Sequence, residues 1–301
     1  VAALSAIILA EDALADVRIA GLSARERAIR VARRVGAVDV RVINAAADRA
    51  GLAGMTAHAV LVIRADQLVH TPLAQPLVDA TGDLVTAVGP DDAYAGALLA
   101  RGPAVAAVVA GLARGDADGA LTAGAAHVAH GKVARHPIGT ADERRAAHRL
   151  LYQILIKPQD NAITRYMYRP VSFVLTRMLV WTPITPNQVS SLVGVLVAIG
   201  CYLTAGATMG RAIAGTATIL FASYLDCCDG EIARLKLMTS KWGAWLDTIV
   251  DELSSVGYMA ALGWHCHLHF GPGYGALGFD PWTVAIAIGV VTYAISIYCV
   301  Y

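Results

Sequence analysis

"DCCDGEIARLKLMTSKWGAWLDTIVD", Asp226 to Asp251, sets four aspartates among runs apolar enough to lie in a membrane. Asp226 and Asp229 are three residues apart, and Asp247 and Asp251 are four apart. Each pair therefore projects from one face of a helix, and two such helices facing each other would gather all four. An unpaired carboxylate at membrane depth costs about 2.5–3.5 kcal/mol, and clustered carboxylates also repel. Proton uptake or a divalent cation must relieve them, and an all-oxygen ligand set favours a hard ion, Mg²⁺ or Mn²⁺.

Outward from this stretch the chain divides into unlike halves. Its 301 residues are 56% hydrophobic and 16% charged, with a formal net charge of +1 and a mean hydropathy of +0.55. The apolar excess lies in the second half. Thr182 to Gly210 carries no charged residue, and neither does Pro281 to Tyr301. Spanning a bilayer takes roughly 20 apolar residues, so the pattern predicts four transmembrane helices, at 185–206, 209–227, 241–263 and 281–301. No charged segment precedes the short apolar stretch Ala6 to Ala10, so no signal peptide is expected. Arg165, Arg169 and Arg177 precede the first span, and Arg234, Lys236 and Lys241 lie in the loop between the second and third, whereas the remaining loops offer only Arg211. That asymmetry places the N-terminal half and the aspartates on the cytoplasmic side. The five cysteines (201, 227, 228, 266, 299) form no disulfide framework. Scattered or juxtamembrane basic residues argue against nucleic-acid binding.

The central stretch reads Asp-x2-Asp-Gly-x2-Ala-Arg-x8-Gly-x3-Asp-x3-Asp over Asp226, Asp229, Gly230, Ala233, Arg234, Gly243, Asp247 and Asp251. It resembles the signature of the CDP-alcohol phosphotransferase family at all eight fixed positions. The resemblance implies that Asp226, Asp229 and Asp247, with Asp251 beside them, hold a pair of divalent cations, Mg²⁺ or Mn²⁺, against the diphosphate of a CDP-linked donor. Asp251 would be the general base that takes the proton from an acceptor alcohol, releasing CMP. Gly230, Ala233 and Gly243 would let the nucleotide approach the helix backbones, and Arg234 would add charge to the diphosphate. Helix packing for the three small residues and a cytoplasmic anchor for Arg234 remain open alternatives. Family bundles have six spans and are commonly dimeric; four are expected here, so the C-terminal region looks incomplete.

Val171, Val174, Leu175, Met178 and Leu179 fall at helical spacing after Pro170. They predict a helix along the cytoplasmic leaflet, with Trp181 at headgroup depth. "TPITPN" breaks that helix, and Asn187 is read as a cap of the first span or as a residue near the nucleotide. With Lys157, Pro158, Asp160 and Arg165 before it, this segment is similar to the linker of family members with an N-terminal nucleotidyltransferase-like domain, the inositol-phosphate cytidylyltransferase and di-inositol-phosphate synthase group. Arg165, Arg169, Lys236 and Lys241 are candidates for holding an acceptor phosphate, or serve as anchors.

Residues 1–150 read as an α/β domain of nucleotidyltransferase-like layout, joined by a 151–183 linker to the 184–301 bundle. Ala6 to Leu9 and Val38 to Ile43 are predicted strands around a helix carrying Ile29, Val31, Ala32 and Val35. "AHAVLVIRADQLV" is a buried strand ending at Asp66. After the first strand, "AEDALADVRIAG" lacks the glycines that cradle a triphosphate and carries Glu11, Asp12 and Asp16, which would repel one. Arg18 and Gly21 are its only basic or flexible remnants, so the domain is expected not to make the CDP donor. "HCHLH", His265 to His269, reads as an interfacial loop. The whole is expected to be a membrane phosphotransferase; a bifunctional enzyme that also makes its CDP-polyol, and a non-enzymatic membrane scaffold, are the alternatives. Donor and acceptor stay open among CDP-diacylglycerol or CDP-inositol and an inositol or glycerol phosphate.

Overall fold

The computed structural model describes residues 3–156, 162, 164–271 and 280–300. Lys157, Pro158, Asp160, residues 272–279 of the Gly-rich stretch and Tyr301 lie outside them. The chain forms two compact units, one of residues 1–158 with 235–237 and one of 159–234 with 238–301.

The first unit is built on β1 (Leu4–Leu9), β2 (Arg18–Ile19), β3 (Leu22–Ser23), α1 (Ala24–Arg34), β4 (Ala37–Ile43), β5 (Ala59–Arg64), β6 (Gln67–Val69), α2 (Thr71–Asp79), β7 (Leu84–Val88), β8 (Tyr94–Arg101), α3 (Pro103–Arg114), β9 (Ala126–Ala129), β10 (Arg135–Pro137) and α4 (Ala141–Gln153). Six strands form one sheet in the order β4-β1-β5-β8-β7-β9. β1 runs parallel to both β4 and β5, and β7 parallel to β9, while β8 is antiparallel to its two neighbours. Continuous apolar runs such as "SAIIL" suit a strand buried on both faces. Ile8, Leu61 and Ile63 point into one core with Val31 and Leu73, and Ile7, Val60 and Val62 into the other with Val105 and Leu112. Ser23 starts α1 by accepting from the Glu26 N–H (3.1 Å), a side-chain N-cap.

The second unit is helical: α5 (Arg169–Leu179), α6 (Pro186–Thr204), α7 (Met209–Leu235), α8 (Lys241–Phe270) and α9 (Pro281–Val300). The four long helices lie where spans are expected. Among the described residues, only α6 is long and apolar enough to cross a membrane by length and composition. The apolar runs of α7 and α8 are interrupted by their own acids.

Three local expectations are corrected. The segment 228–235 is not loop: α7 continues through Asp229 and Gly230 to Leu235, and the turn begins only at Lys236. Met238 N–H donates to the Ala233 carbonyl (2.8 Å) while Leu237 takes φ +54°, the wrap-around hydrogen bond and left-handed residue of a helix C-terminus. The cap of α6 is Thr185, which exchanges hydrogen bonds with Gln188; Pro186 opens the first turn, and Asn187 is already helical. His265–His269 form the last turns of α8, held by His265 Nδ1 on the Gly206 carbonyl (2.6 Å) and His267 on Asp280 (2.7 Å).

α5 is amphipathic in an inverted sense. Val171, Val174 and Met178 are exposed, whereas Arg169, Ser172 and Thr176 are buried. An outward apolar stripe is what a leaflet-lying helix presents.

Candidate metal centre

Asp226 and Asp229 sit inside α7, and Asp247 and Asp251 in the first three turns of α8. Ser240 starts α8 by accepting from the Gly243 N–H (2.9 Å), which fixes where the α8 acids begin. One carboxylate oxygen each from Asp226, Asp229 and Asp247 lies within 4.8 Å of the others, close enough to share a cation. Asp251 stands outside that group of three but lines a cavity of about 250 Å³ with Asp226, Cys227, Ser223, Ser254 and Tyr168, closed by Val193, Val197 and Ile219.

The three acids are not equally satisfied. Asp229 is buried and accepts from the Ser190 hydroxyl of α6. Asp226 Oδ1 is buried without any hydrogen-bond partner. Buried polar atoms are almost always paired, so an orphaned carboxylate oxygen facing two further carboxylates fits a hard cation.

The remaining candidates are distributed around this cluster. Gly230 is exposed, and a Cβ there would meet nothing within 4 Å, so bare α7 backbone faces open space. A Cβ on Gly243 would lie 3.0 Å from Asn187 Oδ1, which brings Asn187 against the start of α8. Ala233 is partly exposed, and Arg234 Nε donates to the Gly230 carbonyl (3.1 Å). Arg165 and Lys241 are exposed, and Lys236 is buried. Arg169 is not an open basic group: its Nη1 pairs with Glu231 Oε1 at 2.6 Å, with both side chains buried. Glu231, which the sequence reading passed over, also accepts from Ser172 Oγ (2.9 Å) and Thr176 Oγ1 (2.6 Å).

In the first unit the loop after β1 is closed by its own acids. Glu11 takes two hydrogen bonds from Arg49 (2.7 and 2.6 Å), which hold its carboxyl below the usual range. Asp12 caps Leu14 N–H (2.8 Å), and Asp16 pairs with Arg25 (2.7 Å). Arg18 is exposed, and Gly21 takes φ +79° in the turn between β2 and β3. β5 ends at Arg64, which pairs with Asp66 (Nε to Oδ1, 3.2 Å) at the edge of a separate cavity of about 530 Å³ lined also by Gln67, Tyr94, His130 and Arg135.

Residues 183–300 match the CDP-alcohol phosphatidyltransferase family model. That segment contains the whole carboxylate cluster. The chain is also similar to two proteins named bifunctional IPC transferase and DIPP synthase. The one from Aquifex aeolicus (strain VF5) is 31% identical over 160 residues, 53% of this chain and 35% of the relative. The other, from Rubrobacter xylanophilus, is 32% identical over 142 residues, 46% of this chain and 32% of the relative. An archaetidylinositol phosphate synthase from Methanothermobacter thermautotrophicus is 35% identical over 69 residues, 23% of this chain and 34% of the relative. The chain thus spans about a third of the length of the curated relatives it matches.

Proposed function

We propose that this chain is the phosphotransfer part of a membrane enzyme that moves a substituted phosphate from a CDP-linked donor to an acceptor alcohol, releasing CMP. The observation that carries the reading is the orphaned Asp226 oxygen within the Asp226, Asp229 and Asp247 group, inside the segment that matches the family. Divalent cations bound there, a pair of Mg²⁺ or Mn²⁺, would neutralise the diphosphate and its leaving CMP phosphate. Asp251, which lines the adjoining cavity, would accept the proton of the attacking hydroxyl on a carboxylate oxygen. Gly230 leaves the α7 backbone open to the nucleotide, and Asn187, Ala233, Arg234 and Gly243 surround its approach. Val193, Val197 and Ile219 give that cavity an apolar wall.

The relatives' names favour an inositol phosphate over glycerol phosphate as acceptor, with CDP-inositol or CDP-diacylglycerol as donor. Arg165 and Lys241, both exposed, remain candidates for its phosphate, whereas Lys236 is buried. We read 184–301 as the membrane domain, 151–183 as linker and leaflet helix, and 1–150 as a nucleotidyltransferase-like domain on the cytoplasmic side, in a protein that works as a homodimer. The ion pairs that close the β1 loop support a first unit that no longer handles CTP. The word bifunctional in the relatives' names favours the opposite. Pyrophosphate release from CTP and a polyol phosphate by the full protein decides between them, and none is expected.

The main test crosses CDP-diacylglycerol and CDP-inositol with a panel of acceptor alcohols in Mg²⁺ or Mn²⁺ and measures CMP, with Asp251→Asn as control. Acceptor-dependent CMP that disappears in Asp251→Asn while donor still binds is the expected result. Donor binding without CMP from any pairing would favour a cation-binding membrane scaffold.

A further inference from the structure

Glu231 is fully buried, yet it belongs to neither the carboxylate cluster nor its cavity. At 3.6 residues per turn, two positions beyond Asp229 is a rotation of about 200°, so the two acids leave opposite sides of α7. Asp229 meets Ser190 of α6, whereas Glu231 accepts from Arg169, Ser172 and Thr176, a single helical face of α5. The three bonds use both carboxylate oxygens. Apolar side chains of similar volume would pack two helices at least as firmly as a buried ion pair. What the polar arrangement adds is register, because sliding α5 by one turn would strand all three donors and the acid.

Register of α5 matters because of the residue just before it. Among the described residues, Tyr168 is the one lining the Asp226/Asp251 cavity that α6, α7 and α8 do not supply, and its ring tilts over Tyr224 at 5.2 Å. We propose that Glu231 is a positioning residue for the transfer reaction. By clamping Arg169, Ser172 and Thr176 it holds Tyr168 as the wall of the cavity in which Asp251 meets the acceptor hydroxyl. The role rests on the phosphotransfer reading above. It also reassigns Arg169 from acceptor phosphate to clamp.

Three variants of the full-length membrane protein test it, each assayed for acceptor KM, donor KM and Mn²⁺ binding. Tyr168→Ala opens the wall and should raise acceptor KM or lower kcat on the order of 10- to 100-fold with donor KM and Mn²⁺ binding unchanged. Glu231→Gln should shift the same parameters in the same direction, since Arg169 then lacks its counter-charge. The double variant Arg169→Met with Glu231→Met replaces the clamp by an apolar contact. It should fold and bind Mn²⁺, as buried ion pairs replaced by apolar groups commonly retain their fold, yet keep the acceptor defect, because an apolar contact does not fix the register of α5.

A double variant with wild-type acceptor kinetics overturns the proposal, because apolar packing then holds Tyr168 as well as the clamp does; so does Glu231→Gln with wild-type acceptor kinetics, because it leaves Arg169 in place. Tyr168→Ala with unchanged acceptor kinetics overturns it as well. If Glu231→Gln does not fold, those other two variants still decide the matter. A wild-type protein without acceptor-dependent CMP release fails the phosphotransfer reading, and this role with it. A wild type that turns over, with acceptor kinetics unmoved in the variants, fails this role alone.

Discussion

Replacing Gly230 by alanine separates a packing role from a ligand-approach role. The residue lies well inside α7, where alanine is favoured over glycine by about 0.8–1.0 kcal/mol. Nothing within 4 Å would meet the new methyl, and the Gly230 carbonyl keeps its bond from Arg234. The protein should therefore gain about 1 kcal/mol, roughly a fivefold shift in the folding equilibrium. If a diphosphate donor packs on that bare backbone, the same methyl displaces it by about 1 Å, enough to cost on the order of 100-fold in turnover. Unfolding in detergent and CMP release on the same preparation measure both. A more stable, nearly inactive protein is expected; a more stable and fully active one refutes donor approach at Gly230. Gly215→Ala is the contrast, because its Cβ would collide with the Thr204 backbone and the Gly200 carbonyl, and it should lose about 1–3 kcal/mol.

Asp226→Asn should weaken Mn²⁺ binding at least about tenfold, read by titration without substrate, since the orphaned oxygen loses its charge. Arg49→Met should destabilise the first unit by under about 1 kcal/mol at neutral pH. Glu11 is depressed in the folded protein by Arg49, so its contribution is present above the unfolded value near about 4.3 and lost as pH falls through the folded one. Urea unfolding of wild type and variant should therefore converge as pH falls through that depressed value; a constant gap would remove Glu11 from the account. Thr185→Ala should cost about 1 kcal/mol by removing the α6 cap, whereas a cap at Asn187 would leave it neutral.

The aspartate pairs and the four long helices were legible because helical spacing and long apolar runs are both local signals. The cap was legible too, had the proline been weighed: Pro186 belongs in the first turn, so the capping side chain must precede it. Helix 228–235 was hidden by its charges and by Gly230, which look like loop until the Ala233–Met238 turn marks where α7 stops. "HCHLH" was misread because the glycines after it look like the start of a loop, while the bonds that keep it helical come from Gly206 and Asp280. Of the five apolar positions read at helical spacing on α5, Val171, Val174 and Met178 face outward, while Leu175 and Leu179 pack against buried residues of α6 and α7. The fate of the polar face of α5 was not legible, since Glu231 lies 55 to 62 residues away from its three donors. A lone glutamate near the spans, opposite a helix face carrying Arg, Ser and Thr at positions 169, 172 and 176, was the available sign.

Two classes of buried acid on one helix then divide by satisfaction rather than by burial. Glu231 is the more deeply buried, but both its oxygens accept from side chains of the same chain, so it needs nothing further. Asp226 is less buried and keeps an oxygen with no partner beside two other carboxylates. An unmet buried acceptor costs roughly 1–3 kcal/mol, more when charged. Nothing in the α7 fold requires that cost, because apolar side chains could fill the same positions. The deficit at Asp226 is useful only to a group that arrives from outside. The donors gathered at Glu231 hold α5, and with it Tyr168, at the wall of the cavity that Asp226 shares with Asp251.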